Sequence, residues 1–189
     1  MISTYVISLA LGISLAACCG FRIFIPLLIA SIAAKFHWLN VSSGFEWLGT
    51  APTIICFLLA SVLEIAAYYI PVVDNFLDAL NTPSSVVAGT VIAASVFIDF
   101  DPMLKWTLAL IAGGGTAGII QVGTGLFRLG STKFTAGFGN SFVATAENIF
   151  SVLGTLTSLF IPLLMLIVFV GIIFSILRFS LAKTKKAAN

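Results

Sequence analysis

The sequence predicts an all-α integral membrane protein with about five to six transmembrane helices, and three observations predict it. Of the 189 residues, 60% are hydrophobic and only 8% are charged, with a mean hydropathy of +1.17. A soluble domain carries roughly 25% charged residues, so this chain lacks the polar surface to cover a globule. Its apolar residues gather in runs at 2–21, 52–70, 84–98, 106–127 and 156–177, near the ~20 residues needed to cross a ~30 Å hydrocarbon core. The runs are rich in Phe, Leu, Ile, Ala and Gly without period-2 alternation. That selects helices over a barrel, the two structures that satisfy their own backbone in lipid.

The first segment, 2–35, opens with "MISTYVIS". It has no basic n-region and runs on past any cleavage point, so it reads as a span and not as a signal peptide. As one straight helix it would be ~51 Å long, about 20 Å too long for the hydrocarbon core. It is therefore strongly tilted, broken, or two short passes. Gly20 and Pro26 supply the breakers, because proline removes a backbone donor and clashes with the preceding turn. Arg22 lies between them.

The loop 36–52 carries Trp38 and Trp47 among polar residues, as an interfacial belt does. The second segment, 52–70, contains Glu64. The stretch 71–84, with Asp74 and Asp78, reads as a loop before a third segment at 84–99. An acidic turn at 99–105 leads to a fourth segment, 104–128, with the Gly-rich 113–118 and Gln121. The basic, Gly-rich stretch 128–140 reads as another loop. Segments at 140–155, with Glu147, and 156–177 complete the chain, and 140–155 could be a re-entrant half helix. Residues 1–189 form one polytopic domain. Its tail, 179–189, follows Arg178 and holds Lys183, Lys185 and Lys186. The positive-inside rule puts that tail in the cytoplasm, and Arg128 and Lys133 vote for the same side.

A shift of 98 residues lays 13–36 over 111–134. Ile13, Gly20, Leu28, Lys35 and Phe36 then meet Ile111, Gly118, Leu126, Lys133 and Phe134. A glutamate follows in each half, Glu64 and Glu147. This suggests halves at 1–100 and 101–178 in a 3+3 inverted repeat with discontinuous first and fourth segments, the plan of many secondary transporters.

Charges in lipid default to a functional hypothesis. Arg22 either snorkels to headgroups or pairs in the interior with Glu64 or Glu147. Gly20 beside it would let backbone approach a ligand closely, and Gln121 could donate into the same cluster. A lone glutamate at that depth would be a proton carrier. These five residues, Arg22, Glu64, Glu147, Gln121 and Gly20, form the candidate solute site. Asp74 and Asp78, at i and i+4, are weak candidates for a cation. "GGGTAG" lacks the lysine and spacing of a phosphate loop and reads as close helix packing.

No cofactor motif or catalytic constellation is present. The only histidine, His37, makes neither a zinc site nor a triad, so the sequence points away from an enzyme. A net charge of +2 gives no argument for nucleic acid. The expected partners are the bilayer, an unidentified small solute or ion, and further copies of the chain through its Gly-rich faces.

With these residues in view, the chain resembles an uncharacterised bacterial multi-pass membrane family, domain-of-unknown-function family 4126. The likeness is carried by Gly20-Phe21-Arg22 and by Glu64 followed by Ile70-Pro71-Val72-Val73-Asp74. It continues through the Gly-rich 112–118, Arg128, and Gly139-Asn140 leading to Ala146-Glu147. The family often has an acid after the late glutamate, where this chain has Asn148. The resemblance implies a multi-pass topology and marks candidate positions without an activity. The expected function is a small secondary transporter or channel with a central Arg/Glu site in the bacterial inner membrane. The alternative is a structural or accessory membrane protein whose charges only fasten helices.

Overall fold

The computed structural model describes residues 2–135 and 139–187, with side chains for 3–70, 80–131 and 139–178. Among the described residues there is no strand. The helices are α1 (Ile2–Cys19), α2 (Phe24–Lys35), α3 (Ala51–Ala67), α4 (Pro71–Val96), α5 (Pro102–Leu108), α6 (Gly115–Thr135), α7 (Asn140–Phe160) and α8 (Pro162–Ala187). A short 3₁₀ turn (Glu46–Gly49) precedes α3, and a π-helical stretch (Ala109–Gly114) joins α5 to α6 without interrupting the helical path.

The first segment is broken where its glycine and proline predict. α1 ends at Cys19, and Gly20 to Ile23 form an irregular turn. Pro26 sits in the first turn of α2, where its missing donor costs little. The break also reverses the chain. Tyr5 of α1 donates to the Asp99 carbonyl, at 3.4 Å, just past the end of α4. Beyond the end of α2, the Ser42 amide donates to the Ser95 carbonyl at 2.6 Å. Both ends of the segment therefore meet the C-terminal end of α4, and α1 and α2 form a helical hairpin with its tip at Arg22. Of the three arrangements open to the sequence, the segment takes two short arms.

The hairpin's two arms, the 36–50 loop and the last turns of α4 share one apolar core around Leu27, Ala30, Leu39, Phe45, Leu48, Ala94 and Phe97. His37 takes a left-handed φ of +59° at the end of α2, and the amides of Trp38 and Leu39 then return to the Ala33 carbonyl. The buried Lys105 ammonium pins the loop to α5 by donating to Ser42 Oγ at 2.8 Å. The exposed Trp38 and Trp47 and the α5 residue Trp106 lie in this part of the molecule, where the Phe45 and Trp106 rings are 6.0 Å apart.

The segment 102–135 remains one helical path. Its predicted discontinuity is only the π turn, because the 98-residue offset places Thr124 at the position of Pro26. Small residues pack it tightly. A Cβ on Gly113 would lie 2.6 Å from the Ala93 Cβ and 2.8 Å from the Gly89 carbonyl oxygen. The direction differs from an inverted repeat. Ala16 and Gly113 both border Gly89, while Gly20 packs on Ala117, so α1 and α6 run side by side in the same sense.

Three further boundaries depart from expectation. The stretch 71–83 is the first half of α4, because Pro71 sits at its start and Pro83 is accommodated within the helix. The stretch 128–135 continues α6. The last two helices meet at Ile161, before Pro162, and not near 155. Ile161 is held at φ −136° and ψ 65°, outside the helical region that a following proline disfavours. α7 is thus a 21-residue helix, longer than the 140–155 expected. By length and composition, Pro102–Ser131 and Asn140–Phe160 could each cross a membrane, and among the described residues Ser3–Cys19, Phe24–Lys35, Ala51–Ala67, Leu80–Val96 and Pro162–Arg178 are further apolar helical stretches. Large apolar side chains project outward along α3, α6, α7 and α8, with Leu63, Phe127 and Phe160 each at least 70% exposed.

Candidate functional site

The site is built at the tip of the α1–α2 hairpin. α1 can deliver its last turn against α6 because position 20 is glycine: a Cβ there would lie 2.6 Å from the Ala117 carbonyl oxygen and 2.7 Å from the Ile120 Cβ. The chain then leaves the helix, and Arg22 is 0% exposed. Its Nε donates to Asn148 Oδ1 at 2.5 Å, and its Nη2 donates to the Ala144 carbonyl at 3.2 Å. The same Nη2 lies 3.3 Å from Glu147 Oε2. The interior reading of Arg22 therefore replaces the snorkelling one, and Glu147 is its carboxylate partner.

Glu147 is shared. Arg128 Nε donates to Glu147 Oε1 at 3.2 Å, and Arg128 Nη2 makes a very close contact with Oε2. Arg128 is 2% exposed, so it is not the loop charge that its neighbours in the sequence suggest. Both guanidinium carbons stack on the Tyr68 ring, Arg22 at 3.7 Å and Arg128 at 4.1 Å from its centroid. A desolvated cation over an aromatic face gains about 2 kcal/mol. The Tyr68 hydroxyl accepts from Asn81 of α4. Glu147 and Asn148 are adjacent on α7, so one helix turn supplies an acceptor to each side of the Arg22 guanidinium.

Glu64 does something else. Its carboxylate accepts the backbone amides of Ile23 at 2.9 Å and Phe24 at 3.1 Å. A helix start leaves four amides without internal partners, and here two donors at the start of α2 are met by a carboxylate from α3. The negative charge also complements the positive end of the helix dipole. Glu64 is thus what permits a helix to begin in the interior.

Among the five predicted site residues, Arg22 and Glu147 form a pair, Glu64 caps the break beside Arg22, and Gly20 gives close packing. Gln121 is buried on α6, without a described hydrogen bond from its side chain to the cluster. The side chains of Asp74 and Asp78 lie outside the described residues. Positional reading missed Arg128 and Tyr68. Arg128 was nonetheless among the residues carrying the family resemblance. Tyr68 stands one helical turn after Glu64, the spacing that puts two side chains on one face.

One guanidinium nitrogen, Arg22 Nη1, is fully buried without a hydrogen-bond partner. Beside the cluster, a cavity of about 450 Å³ opens between α6, α7 and α8. It is lined by apolar side chains, including Phe21, Phe127, Phe142 and Phe150, and among the described residues Glu147 is its only ionisable lining residue.

The family described as Domain of unknown function (DUF4126) matches residues 9–181. No curated protein and no solved structure matches the chain.

Proposed function

The chain belongs to this family of unknown function, and from that premise and the geometry above we propose that it is a small transporter or channel of the bacterial inner membrane. Membrane insertion is supported by the 60% hydrophobic composition, by two helices of sufficient length and apolarity, and by the outward apolar side chains of α3 and α6–α8. The tail after Arg178 lies on the cytoplasmic side, by the same positive-inside argument.

The observation that carries the solute site is Arg22. A guanidinium with no solvent exposure stands at an interior helix break, with one nitrogen lacking an acceptor. An unsatisfied buried donor costs about 1–3 kcal/mol, more when charged, and such a cost persists where a ligand relieves it. Two guanidinia share the Glu147 carboxylate, so a ligand or a proton can exchange for either partner.

The test is flux. Purified protein in liposomes is assayed for permeation of potassium, chloride, nitrate, acetate and glycine. Wild-type flux that is lost in Arg22→Ala, in Glu147→Ala and in the double variant supports the reading. No flux for any solute overturns it in favour of a second reading, in which the cluster only fastens helices. That second reading is favoured by a specific observation: neither Arg22 nor Glu64 lines a described cavity, and most of their polar atoms are paired.

A further inference from the structure

We infer that the part of α8 beyond Gly171 is a hinged gate. With Ile176 seated on Gly123 it separates two cavities, and lifted it joins them into one passage that reaches Glu147. The gate regulates the site of the transport reading and rests on that reading for its purpose.

The latch is a knob in a hole. A Cβ on Gly123 of α6 would lie 2.6 Å from Ile176 Cδ1 and 3.1 Å from its Cγ1, so the isoleucine occupies the space that glycine leaves. Among the described residues, Ile176 alone lines both cavities. On one side lies the cavity of about 450 Å³ with Glu147 in its wall. On the other, a cavity of about 410 Å³ opens between α4, α6 and α8, walled by Val86, Gly115, Gly118 and Ile119. Where α8 meets α6 between them, the contact is Ile176 on Gly123.

The hinge precedes the latch. Phe169 is 2% exposed and anchors α8 in a core with Ala17, Cys18 and Ile120. From Gly171 to Arg178 no residue is buried. Segments with few buried contacts open at the lowest free energy. Gly171 has open space where a Cβ would be, so packing does not demand glycine there, and what it contributes is a weak point in the helix. The Ser175 hydroxyl donates back to the Gly171 carbonyl at 2.9 Å, a bond that loosens and bends helices. Gly/Ser pairs are where long helices kink.

Opening at this point leaves the charge cluster in place. Arg22, Arg128 and Glu147 belong to the α1–α2 turn, α6 and α7, and none of them rides on the moving part. What changes is which space Glu147 faces.

The test uses the full chain in phosphatidylcholine nanodiscs, with Cys56→Ser removing the exposed thiol and Ile120→Cys as the reporter. Ile120 is in the cavity wall and is 0% exposed, so N-ethylmaleimide reaches position 120 only when the gate opens. Mass spectrometry reads the label there. Gly171→Ala should slow labelling about fivefold, the effect of alanine for glycine on one helix, without lowering the melting temperature. Ile176→Ala removes the latch and should speed labelling at least about fivefold. No change in either variant overturns the gate. Gly125→Ala on α6, which also meets nothing within 4 Å, is the control. Equal slowing there would trace the effect to general stability and overturn the gate too.

Flux separates the gate from transport. Gly123→Cys with Ile176→Cys ties the latch when oxidised. A Cβ on Gly123 lies 3.1 and 3.3 Å from the two γ carbons of Ile176, within reach of a disulfide. Permeation of potassium, chloride, nitrate, acetate and glycine into liposomes is then measured. Flux that oxidation stops and reduction restores supports both. Flux that survives the formed disulfide overturns the gate and leaves transport standing. No flux in the untied protein, with labelling that still follows the hinge, overturns transport and leaves the gate.

Discussion

The two long apolar segments each depart from regular α-helix once, and they do so in opposite ways. At Gly20 to Ile23 the helix opens, the chain reverses, and the freed amides are met by a carboxylate from another helix. At Ala109–Gly114 the helix widens by a π turn and keeps its path, packed by Gly89, Ala93 and Thr90. The first departure holds an arginine and gathers two glutamates. The second holds only apolar residues and glycine. A break in the interior needs a proline to start the next helix and a polar partner for the loose amides. Where glycine is the only weakness, the ladder shifts register and stays closed.

The largest expected effect is at the cap. Glu64→Ala leaves the amides of Ile23 and Phe24 unpaired beside Arg22, and should destabilise the protein by roughly 3–5 kcal/mol. Thermal unfolding in detergent measures it. If the melting temperature stays put, the open break does not depend on an outside carboxylate and the contrast with the π turn fails. Glu64→Gln keeps one acceptor oxygen and should fall between wild type and alanine.

The pairing comes next. Arg22→Ala and Glu147→Ala should each destabilise strongly, and the double variant should lose less than the sum, with a coupling of about 0.5–3 kcal/mol. Additivity within ~0.5 kcal/mol would show that Arg22 and Glu147 are not energetically coupled.

At the π turn the effects are steric. Gly113→Ala puts a methyl 2.8 Å from the Gly89 carbonyl oxygen, so backbone must move, at roughly 1–3 kcal/mol. The smallest change is Gly115→Ala, which meets nothing within 4 Å and should stabilise by up to about 1 kcal/mol through helix propensity. A loss there instead of a gain would show that the π turn needs backbone freedom beyond its packing.

The sequence disclosed the first break because Gly20 and Pro26 are breakers in any solvent, and it narrowed an interior partner of Arg22 to Glu64 or Glu147 because an unpaired charge is expensive in an apolar interior. It did not disclose the reversal. The apolar run 2–34 looks alike along its length, and only contacts with Ser95 and Asp99 fix where α2 returns. Arg128 was misplaced because Gly130, Ser131, Thr132 and Lys133 after it look like a loop, while α6 in fact runs on to Thr135. The start of α4 was misplaced for the same reason, as Asp74, Asn75, Asp78 and Asn81 dilute the apolar signal of a helix that begins at Pro71. The equal sense of α1 and α6 was hidden because an offset of identities carries no direction.

The hairpin has a consequence for sidedness. An excursion that enters and returns at the same end adds nothing to the parity of membrane crossings. The remaining path runs through α3, α4, and α5 with α6, and then through α7 and α8. α7 and α8 add either two crossings or none, so the total is odd in both cases. In the proposed membrane protein, the two chain termini therefore face opposite compartments. With the basic tail cytoplasmic as proposed, a reporter that works only in the periplasm should be active when fused before Ile2 and silent when fused after Asn189.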